Sequence, residues 1–190
     1  IINISASPYH KNRKNIRKDL IMKKFSDAKC SFIYCNLVGG QDELIFDGNS
    51  MVFNSDMNLI AEGKSFEEDL VIVDMNSKPI NNRNLDINSD IYNALTLGIK
   101  DYFSKTGHKK AVIGLSGGID SALVACLAVD ALGSDNVYLV SMPSRFSSEH
   151  SKADAKNLAN NLNAHFDTVD IDSLFESYLE VLNPKFKGLE

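Results

Sequence analysis

The 190-residue chain lacks any apolar run close to the roughly 20 residues that a membrane-spanning helix needs. Its first residues also lack the basic-then-apolar pattern of a secretory signal peptide. Cysteine is scarce, since three residues are an odd number and too few for a disulfide scaffold. These absences argue against a membrane-spanning or disulfide-stabilised class, and we expect no membrane partner and a cytoplasmic location.

The three cysteines are interpreted as reduced packing residues: Cys30, Cys35 and Cys126. A metal pair formed by Cys30 and Cys35 is disfavoured, because no second pair accompanies it. The sequence therefore predicts no thiolate metal site.

Positive charge is not in excess either, because the formal net charge is −5. Basic residues do cluster near the N-terminus, at Lys11, Arg13, Lys14, Arg17, Lys18, Lys23 and Lys24. No aromatic residues lie between them to stack on bases, so the cluster is interpreted as the solvated face of an amphipathic helix. We therefore expect no nucleic-acid partner.

The whole chain has 44% hydrophobic residues, a share typical of globular proteins. Its first part predicts short strands and one helix. Strands are predicted at 1–5, 31–38 and 69–75, and a helix at 14–27. A meander of short strands is predicted between strands 31–38 and 69–75. The Asn-rich stretch 76–90 has almost no apolar pattern and predicts a linker.

The second part predicts strict alternation of helices and strands. A helix capped by Ser89 and ending at Gly107 is followed by strands 111–115, 137–142 and 166–171 and helices 119–132, 148–162 and 172–182. Such alternation is typical of a parallel sheet with right-handed crossovers.

The turn after strand 111–115 has the composition of a phosphate site. It lies within AVIGLSGGIDSAL, residues 111–123. Gly117 and Gly118 permit close approach of a ligand to the backbone, and the hydroxyls of Ser116 and Ser121 lie beside the N-terminus of a helix. Asp120 would repel phosphate unless a cation bridged them, so the sequence predicts Mg²⁺ on Asp120.

Other meanings of this turn are less consistent with the sequence. The Walker loop needs a lysine after the glycines, and the dinucleotide fingerprint needs G-x-G-x-x-G. G-x-S-x-G is present, so Ser116 could instead be the nucleophile of a serine hydrolase, with His150 or His165 as base. Asp120 would then place negative charge near the oxyanion hole, which disfavours that alternative. A glycine turn without a ligand is the other alternative.

Four segments carry a resemblance to known proteins. SGGIDS resembles the pyrophosphate-binding loop of the adenine-nucleotide alpha-hydrolase superfamily, and MPSRFSSEHSKADA, beginning at Met142, is similar to NAD synthetases. NISASPYHKNR and YCNLVGGQDELIFDGNS resemble the nitrilase-like glutaminase domain of glutamine-dependent NAD synthetases.

The resemblance implies an α/β architecture in two parts. Residues 1–77 would be the C-terminal part of a nitrilase-like αββα sandwich and 78–88 a linker. Residues 89–190 would be the N-terminal part of a Rossmann-like parallel α/β ATP-pyrophosphatase domain. We expect the chain to be a central piece of a larger protein. No catalytic residue of the glutaminase is expected here, because its Glu-Lys-Cys triad would lie upstream of Ile1.

The resemblance also implies a reaction, in which ATP adenylates deamido-NAD with release of pyrophosphate. Ammonia from glutamine then displaces AMP to give NAD. The implied ATP-binding residues are Gly114, Leu115, Ser116, Gly117, Gly118, Ile119, Asp120 and Ser121. Ser141 and Met142 would contact adenine, although a strand end stopped by Pro143 explains that segment equally well.

Further expectations concern the nitrogen donor and the assembly. Ser7 and Arg13 would bind glutamine, the arginine by a forked pair with the α-carboxylate. The expected partners are deamido-NAD, ATP, glutamine or ammonia, and a second copy in a homo-oligomer. The alternatives are another ATP-dependent amidotransferase, the serine hydrolase and a non-catalytic nucleotide-binding fragment.

Overall fold

A computed structural model describes residues 1–81 and 86–187 of the chain. Contacts divide the chain into two compact units, Ile1–Gly107 and His108–Glu190. Residues 82–85 of the predicted linker and 188–190 of the predicted second domain lie outside the described residues. No helix within the described ranges has the length and apolar character to cross a membrane.

The first unit contains a four-stranded sheet in the order β1-β2-β5-β6. β1 (Ile2–Ser5) is parallel to β2 (Phe32–Asn36), and α1 (Arg13–Phe25) connects them. A hairpin of β3 (Val38–Gln41) and β4 (Leu44–Asp47) follows, and β5 (Met51–Phe53) and β6 (Leu59–Glu62) complete the sheet as antiparallel strands. The predicted strand 31–38 is therefore interrupted at Leu37.

Alternation along β2 decides which side chains enter the core. Phe32 and Tyr34 point to the face covered by α1, where they cluster with Ile21, Met51 and Phe53. The opposite face is open at its edge, because Ile2 and Ile4 of β1 lie beside Ile33 and Cys35 in the register of the sheet and are 70% and 85% exposed. The prediction that Cys35 is a packing residue is wrong, since this side chain is exposed.

The predicted strand at 69–75 is wrong, because this segment forms no strand in the structure. Val71 and Val73 pack against Val52, Ile60 and Ala61 on the second face of the sheet. Leu70 and Ile72 are 84% and 90% exposed. The alternating apolar pattern therefore reflects packing of every second residue on a neighbouring sheet, without strand pairing.

Helix α2 (Ile87–Thr106) lies on the hairpin β3–β4 of the first unit. Its N-cap is Asp86, whose carboxylate accepts hydrogen bonds from the backbone N–H groups of Asn88 and Ser89, so the predicted cap at Ser89 is wrong. Its end at Gly107 is confirmed, because that glycine has the left-handed conformation of a helix C-terminus.

Polar contacts connect α2 to the hairpin at Gly40. The Gly40 N–H donates to Asp101 at 2.8 Å, and the Lys105 ammonium donates to the Gly40 carbonyl at 2.5 Å. A side chain at Gly40 would meet the Gly98 backbone at 3.3 Å, so the two elements approach closely. Our sequence interpretation placed this helix at the start of the second domain, and the domain bounds stay a prediction.

The second unit is a parallel sheet in the order β7-β8-β9, which confirms the predicted α/β alternation. Its elements are β7 (Ala111–Gly114), α3 (Ile119–Leu132), a 3-10 turn (Ser134–Asn136), β8 (Val137–Ser141), α4 (Glu149–Asn161), β9 (His165–Thr168) and α5 (Asp172–Phe186). Leu115, Leu139 and Val137 form its core with small residues of α3 and α4. Ala125 of α3 and Ala155 of α4 are fully buried in this core.

Candidate active site

The candidate phosphate site is the loop between β7 and α3. The backbone N–H of Leu115 still donates to the Val140 carbonyl at 2.8 Å, so the sheet holds the start of the loop. Gly117 then takes φ of 83°, in the left-handed region, and Gly118 is the N-cap of α3. The loop therefore presents the N-terminus of α3 at the carboxyl edge of the parallel sheet, the usual ligand-binding edge of this architecture.

Two serines fix the shape of this loop. The hydroxyls of Ser116 and Ser121 lie 3.0 Å apart, and the Ser116 N–H donates to the Ser121 hydroxyl at 3.2 Å. The Ser121 hydroxyl donates to the Gly118 carbonyl, and the Gly118 N–H donates to the Ser116 hydroxyl. The loop is thus closed by its own hydrogen bonds, and both hydroxyls stay near the helix N-terminus.

The start of α4 lies directly against Gly117. A Cβ atom at this glycine would fall 2.7 Å from the Ser151 carbonyl carbon, which is closer than real contacts allow. A small cavity of about 80 Å³ lies beside the loop and is lined by Ser116, Ser141, Met142, Pro143, Ser147, Ser151 and Lys152. The structure thus brings the predicted loop residue Ser116 together with Ser141 and Met142.

The segment leading into α4 is fixed by local contacts. Ser148 caps α4 by accepting a hydrogen bond from the Ser151 N–H. Arg145 forms ion pairs with Glu176 and Asp172 of α5, and its backbone N–H donates to Asp172. That backbone hydrogen bond lowers the pKa of the Asp172 carboxyl group. The loop between β8 and α4, which carries several of the cavity residues, is therefore held in place by these contacts.

Asp120 lies exposed in the first turn of α3. Within the described residues, no group of three or more His, Cys, Asp or Glu side chains could hold a metal by itself. Mg²⁺ usually keeps waters and binds through one or two carboxylates together with substrate phosphates. A single carboxylate beside a phosphate loop fits that mode of binding, whereas an all-protein metal cage is not present in the described part.

The hydrolase alternative lacks its base. Ser116 is hydrogen-bonded to Ser121 and Gly118, and no hydrogen bond joins it to a histidine within residues 1–81 and 86–187. The His165 ring stacks on Tyr138 with a centroid distance of 4.5 Å, and His150 is exposed on α4. A nucleophilic serine needs a base within hydrogen-bond reach, so this geometry disfavours a Ser116 nucleophile.

The second predicted site, at Ser7 and Arg13, has a different geometry. Arg13 begins α1, and one of its terminal nitrogens lies 3.2 Å from Nε2 of His10. The contacts of Ser7 are made instead to Arg17 and Asn36. The structure therefore brings Ser7 together with Arg17, and no hydrogen bond joins Ser7 to Arg13 among the described residues.

Arg17 corrects the predicted solvated face of α1. Its side chain is 5% exposed and forms an ion pair with the buried Asp47. The sequence did contain a signal, because position 17 lies one turn before Ile21 and two turns before Phe25, on the apolar stripe of the helix. Its partner Asp47 is distant in sequence, so no local pattern indicated the pair.

Near this pair, the half-buried Tyr9 has a raised pKa. Burial raises the pKa of the Tyr9 phenol, and the negative charges of Asp90 and Asp47 raise it further. The pKa of Asp90 is itself raised, chiefly by burial and despite the lowering effect of Lys14. The loop after β1 thus lies in a partly desolvated, charged environment.

A glycine–serine loop that joins a strand of a parallel sheet to a helix N-terminus is typical of phosphate-binding α/β proteins. The family model described as NAD synthase matches residues 91–189, and the chain belongs to this family. It is 40% identical to the glutamine-dependent NAD(+) synthetase of Aquifex aeolicus over 94% of this chain and 38% of the relative. The corresponding enzyme of Synechocystis sp. is 41% identical over 98% of this chain and 35% of the relative.

A solved structure supports the same relationship. The glutamine-dependent NAD+ synthetase from Acinetobacter baumannii, in complex with adenosine diphosphate, superposes with a TM-score of 0.92 and 34% identity. That match covers 100% of this chain and 38% of the other. The chain therefore spans less than half the length of each of these three relatives.

Proposed function

We propose that this chain is part of an enzyme, a ligase that amidates deamido-NAD to NAD with ATP and with ammonia released from glutamine. The products would be AMP and pyrophosphate. The proposal is supported by family membership and by relatives described as glutamine-dependent NAD(+) synthetases. A homo-oligomeric assembly and a cytoplasmic location stay predictions.

The observation that carries the proposal is the loop between β7 and α3. Its N–H groups and the hydroxyls of Ser116 and Ser121 form a cradle at a helix N-terminus, where phosphate charge is stabilised. Gly114 to Ser121 would bind ATP there, with Ser141 and Met142 near adenine. The cradle holds the β- and γ-phosphates, which leaves the α-phosphorus open to attack by the substrate carboxylate.

Asp120 would hold Mg²⁺ beside these phosphates. Bound Mg²⁺ would neutralise charge on the departing pyrophosphate. The nucleotide assignment is supported by the adenosine diphosphate in the related Acinetobacter baumannii structure. The roles proposed for the chain itself are therefore to bind the phosphates, to orient them and to hold the cation.

The first unit would belong to the nitrilase-like glutaminase that supplies ammonia. Ser7, in the loop after β1, and Arg13, at the start of α1, are proposed to bind glutamine. The support is the sequence NISASPYHKNR together with the relatives described as glutamine-dependent. The residues that hydrolyse glutamine are not proposed among those of this chain.

The proposal is tested with the complete protein. We expect AMP and pyrophosphate to form from ATP only when deamido-NAD is present, and NAD to form with either glutamine or ammonia. Formation of AMP without deamido-NAD, or of an amide other than NAD, would favour another ATP-dependent amidotransferase. After fluorophosphonate treatment, intact-mass analysis should show no adduct on Ser116. Stoichiometric labelling of Ser116 would support the hydrolase.

A further inference from the structure

A buried ion pair lies beneath the loop that carries Ser7. The guanidinium group of Arg17 contacts both carboxylate oxygens of Asp47, at 2.8 and 2.7 Å. The two residues are 5% and 1% exposed. Asn49 donates to the same carboxylate at 2.7 Å and thereby completes its surroundings. The pair is therefore a bidentate contact that is shielded from water.

Arg17 also donates hydrogen bonds to the loop itself. Its Nε donates to the Ser7 hydroxyl at 3.1 Å, and one terminal nitrogen donates to the carbonyl groups of Ser7 and Pro8, at 2.7 and 3.2 Å. Asn36 of β2 also binds the loop, because its side-chain oxygen accepts a hydrogen bond from the Ser7 N–H at 2.9 Å. The backbone and the hydroxyl of Ser7 are thus fixed together.

This contact has a consequence for the chemistry of Ser7. A hydroxyl group has one hydrogen to donate and two lone pairs to accept with. Because Arg17 donates to the Ser7 oxygen, the hydroxyl hydrogen is left to point to a different acceptor. The cation also polarises the hydroxyl and strengthens it as a donor. Ser7 is therefore oriented to donate to a carboxylate or carbonyl oxygen.

Lysine could not replace Arg17 in this role. Its ammonium group is a compact charge without the planar fork that contacts Asp47 on one side and the loop on the other. An ion pair with a purely structural role, by contrast, would not need donors directed both to Asp47 and to the loop. When buried, a pair can often be replaced by apolar residues of similar volume without loss of stability. The two roles therefore predict different outcomes for substitutions here.

We propose that Arg17, held by Asp47, is a positioning residue for glutamine. It would set the Ser7–Pro8 loop and the donor direction of the Ser7 hydroxyl, and would not itself contact the substrate. The inference rests on the proposed function, because it takes Ser7 as part of the glutamine site. It assigns to a buried pair the task of shaping that site.

The test uses the complete enzyme with the double substitution Arg17→Met and Asp47→Leu, which removes the pair but keeps the volume. A second variant, Arg17→Lys, keeps the charge and loses the fork. We expect the KM for glutamine to rise about 10- to 100-fold in both, the range expected when a reacting group is misplaced by up to 1 Å. The reaction driven by added ammonia should keep its rate in both variants, which would show that each of them is folded.

The matched control is the double substitution Lys14→Met and Glu62→Leu, which removes another ion pair of α1 in the same way. Lys14 contacts Glu62 at 2.5 Å, and the two side chains are 12% and 1% exposed. This pair lies one turn from Arg17, and we expect its loss to leave the KM for glutamine within about twofold, a change of under 0.5 kcal/mol. An equal rise in the control would make the effect a general property of α1 and would overturn the inference.

Two further outcomes separate the inference from the proposed function. An unchanged KM in the stable double variant, or parallel loss of both reactions, would overturn the positioning role. If that happens while Ser7→Ala and Arg13→Ala impair only the glutamine reaction, the proposed site stands without Arg17. If Ser7→Ala and Arg13→Ala also have no effect, the glutamine site lies elsewhere and both proposals fall.

Discussion

At the scale of single residues, the phosphate loop shows which requirements are local and which are not. The turn and the helix start could be predicted from two glycines and two serines, because these residues lie within a few positions of one another. The contact of Gly117 with Ser151 could not, because it depends on how α4 returns to the sheet. The same limit applies to Arg17 and Asp47, which are 30 positions apart.

Gly117→Ala should strain the loop and push away the start of α4. A side chain at φ of 83° is unfavourable, and here it also meets the Ser151 backbone. Gly133→Ala is the matched control, because Gly133 has the same φ of 83° but nothing within 4 Å of the added methyl. We expect calorimetry on the complete enzyme to show ATP affinity at least about tenfold weaker for Gly117→Ala, about 1.4 kcal/mol, and near-native affinity for the control.

Asp120→Asn should separate metal binding from folding. The amide has the size of the carboxylate and leaves the glycine turn intact, so the melting temperature should stay near native. Loss of a charged ligand for Mg²⁺ should slow adenylation at least about tenfold, because a lost transition-state stabiliser commonly costs 10² to 10³ in rate. The rate is measured as pyrophosphate release at limiting Mg²⁺. An unchanged rate would mean that Asp120 only begins the helix.

At the scale of elements, helices with strong boundaries were predictable and the alternating segment was not. Helix α3 has the predicted bounds, 119–132, because a glycine turn begins it and Gly133 ends it. Residues 69–75 have the apolar alternation of a strand, but their Val71 and Val73 contact the face of a sheet whose strands already pair with one another. Sequence pattern reports which side chains are buried, and hydrogen-bond pairing depends on which strands are available.

The docking of α2 on the hairpin β3–β4 gives a prediction for these elements. Gly40→Ala should loosen the contact, because the methyl group would meet the Gly98 backbone at 3.3 Å and one of them must move. Overpacking of this kind costs about 1–3 kcal/mol. Hydrogen exchange of the α2 amides in the complete protein should therefore become at least about fivefold faster, the equivalent of about 1 kcal/mol.

Gly63→Ala serves as its control. The added methyl would lie 3.5 Å from the Ser50 side chain, an ordinary van der Waals distance. We expect exchange rates in α2 to be unchanged in this variant. Equal acceleration in both variants, or none in Gly40→Ala, would mean that the close approach of Gly40 and Gly98 does not determine how α2 is held.

At the scale of the whole molecule, the two proposed sites lie in different units of the same chain. The second unit has the loop proposed for ATP, and the first has the loop proposed for glutamine, with Arg17 beneath it. The motif at the loop proposed for ATP could be found in the sequence because its polar groups are adjacent in the chain. The surroundings of Ser7 come from α1, β2 and β4, so their geometry could only be read from the folded structure.

Because the two proposed sites lie in different units, the glutamine site can be impaired by itself. If Arg13 holds the α-carboxylate of glutamine, Arg13→Ala in the complete enzyme removes a charge-assisted hydrogen bond worth about 1.5–3 kcal/mol. The KM for glutamine should then rise about 10- to 100-fold, while the KM for ammonia and the rate with ammonia stay unchanged, because added ammonia bypasses the glutamine site. Lys11→Ala controls for the loss of positive charge, since Lys11 is exposed and two residues away. Equal losses with both nitrogen donors would show that Arg13 supports the fold, and glutamine would then need a different partner for its carboxylate.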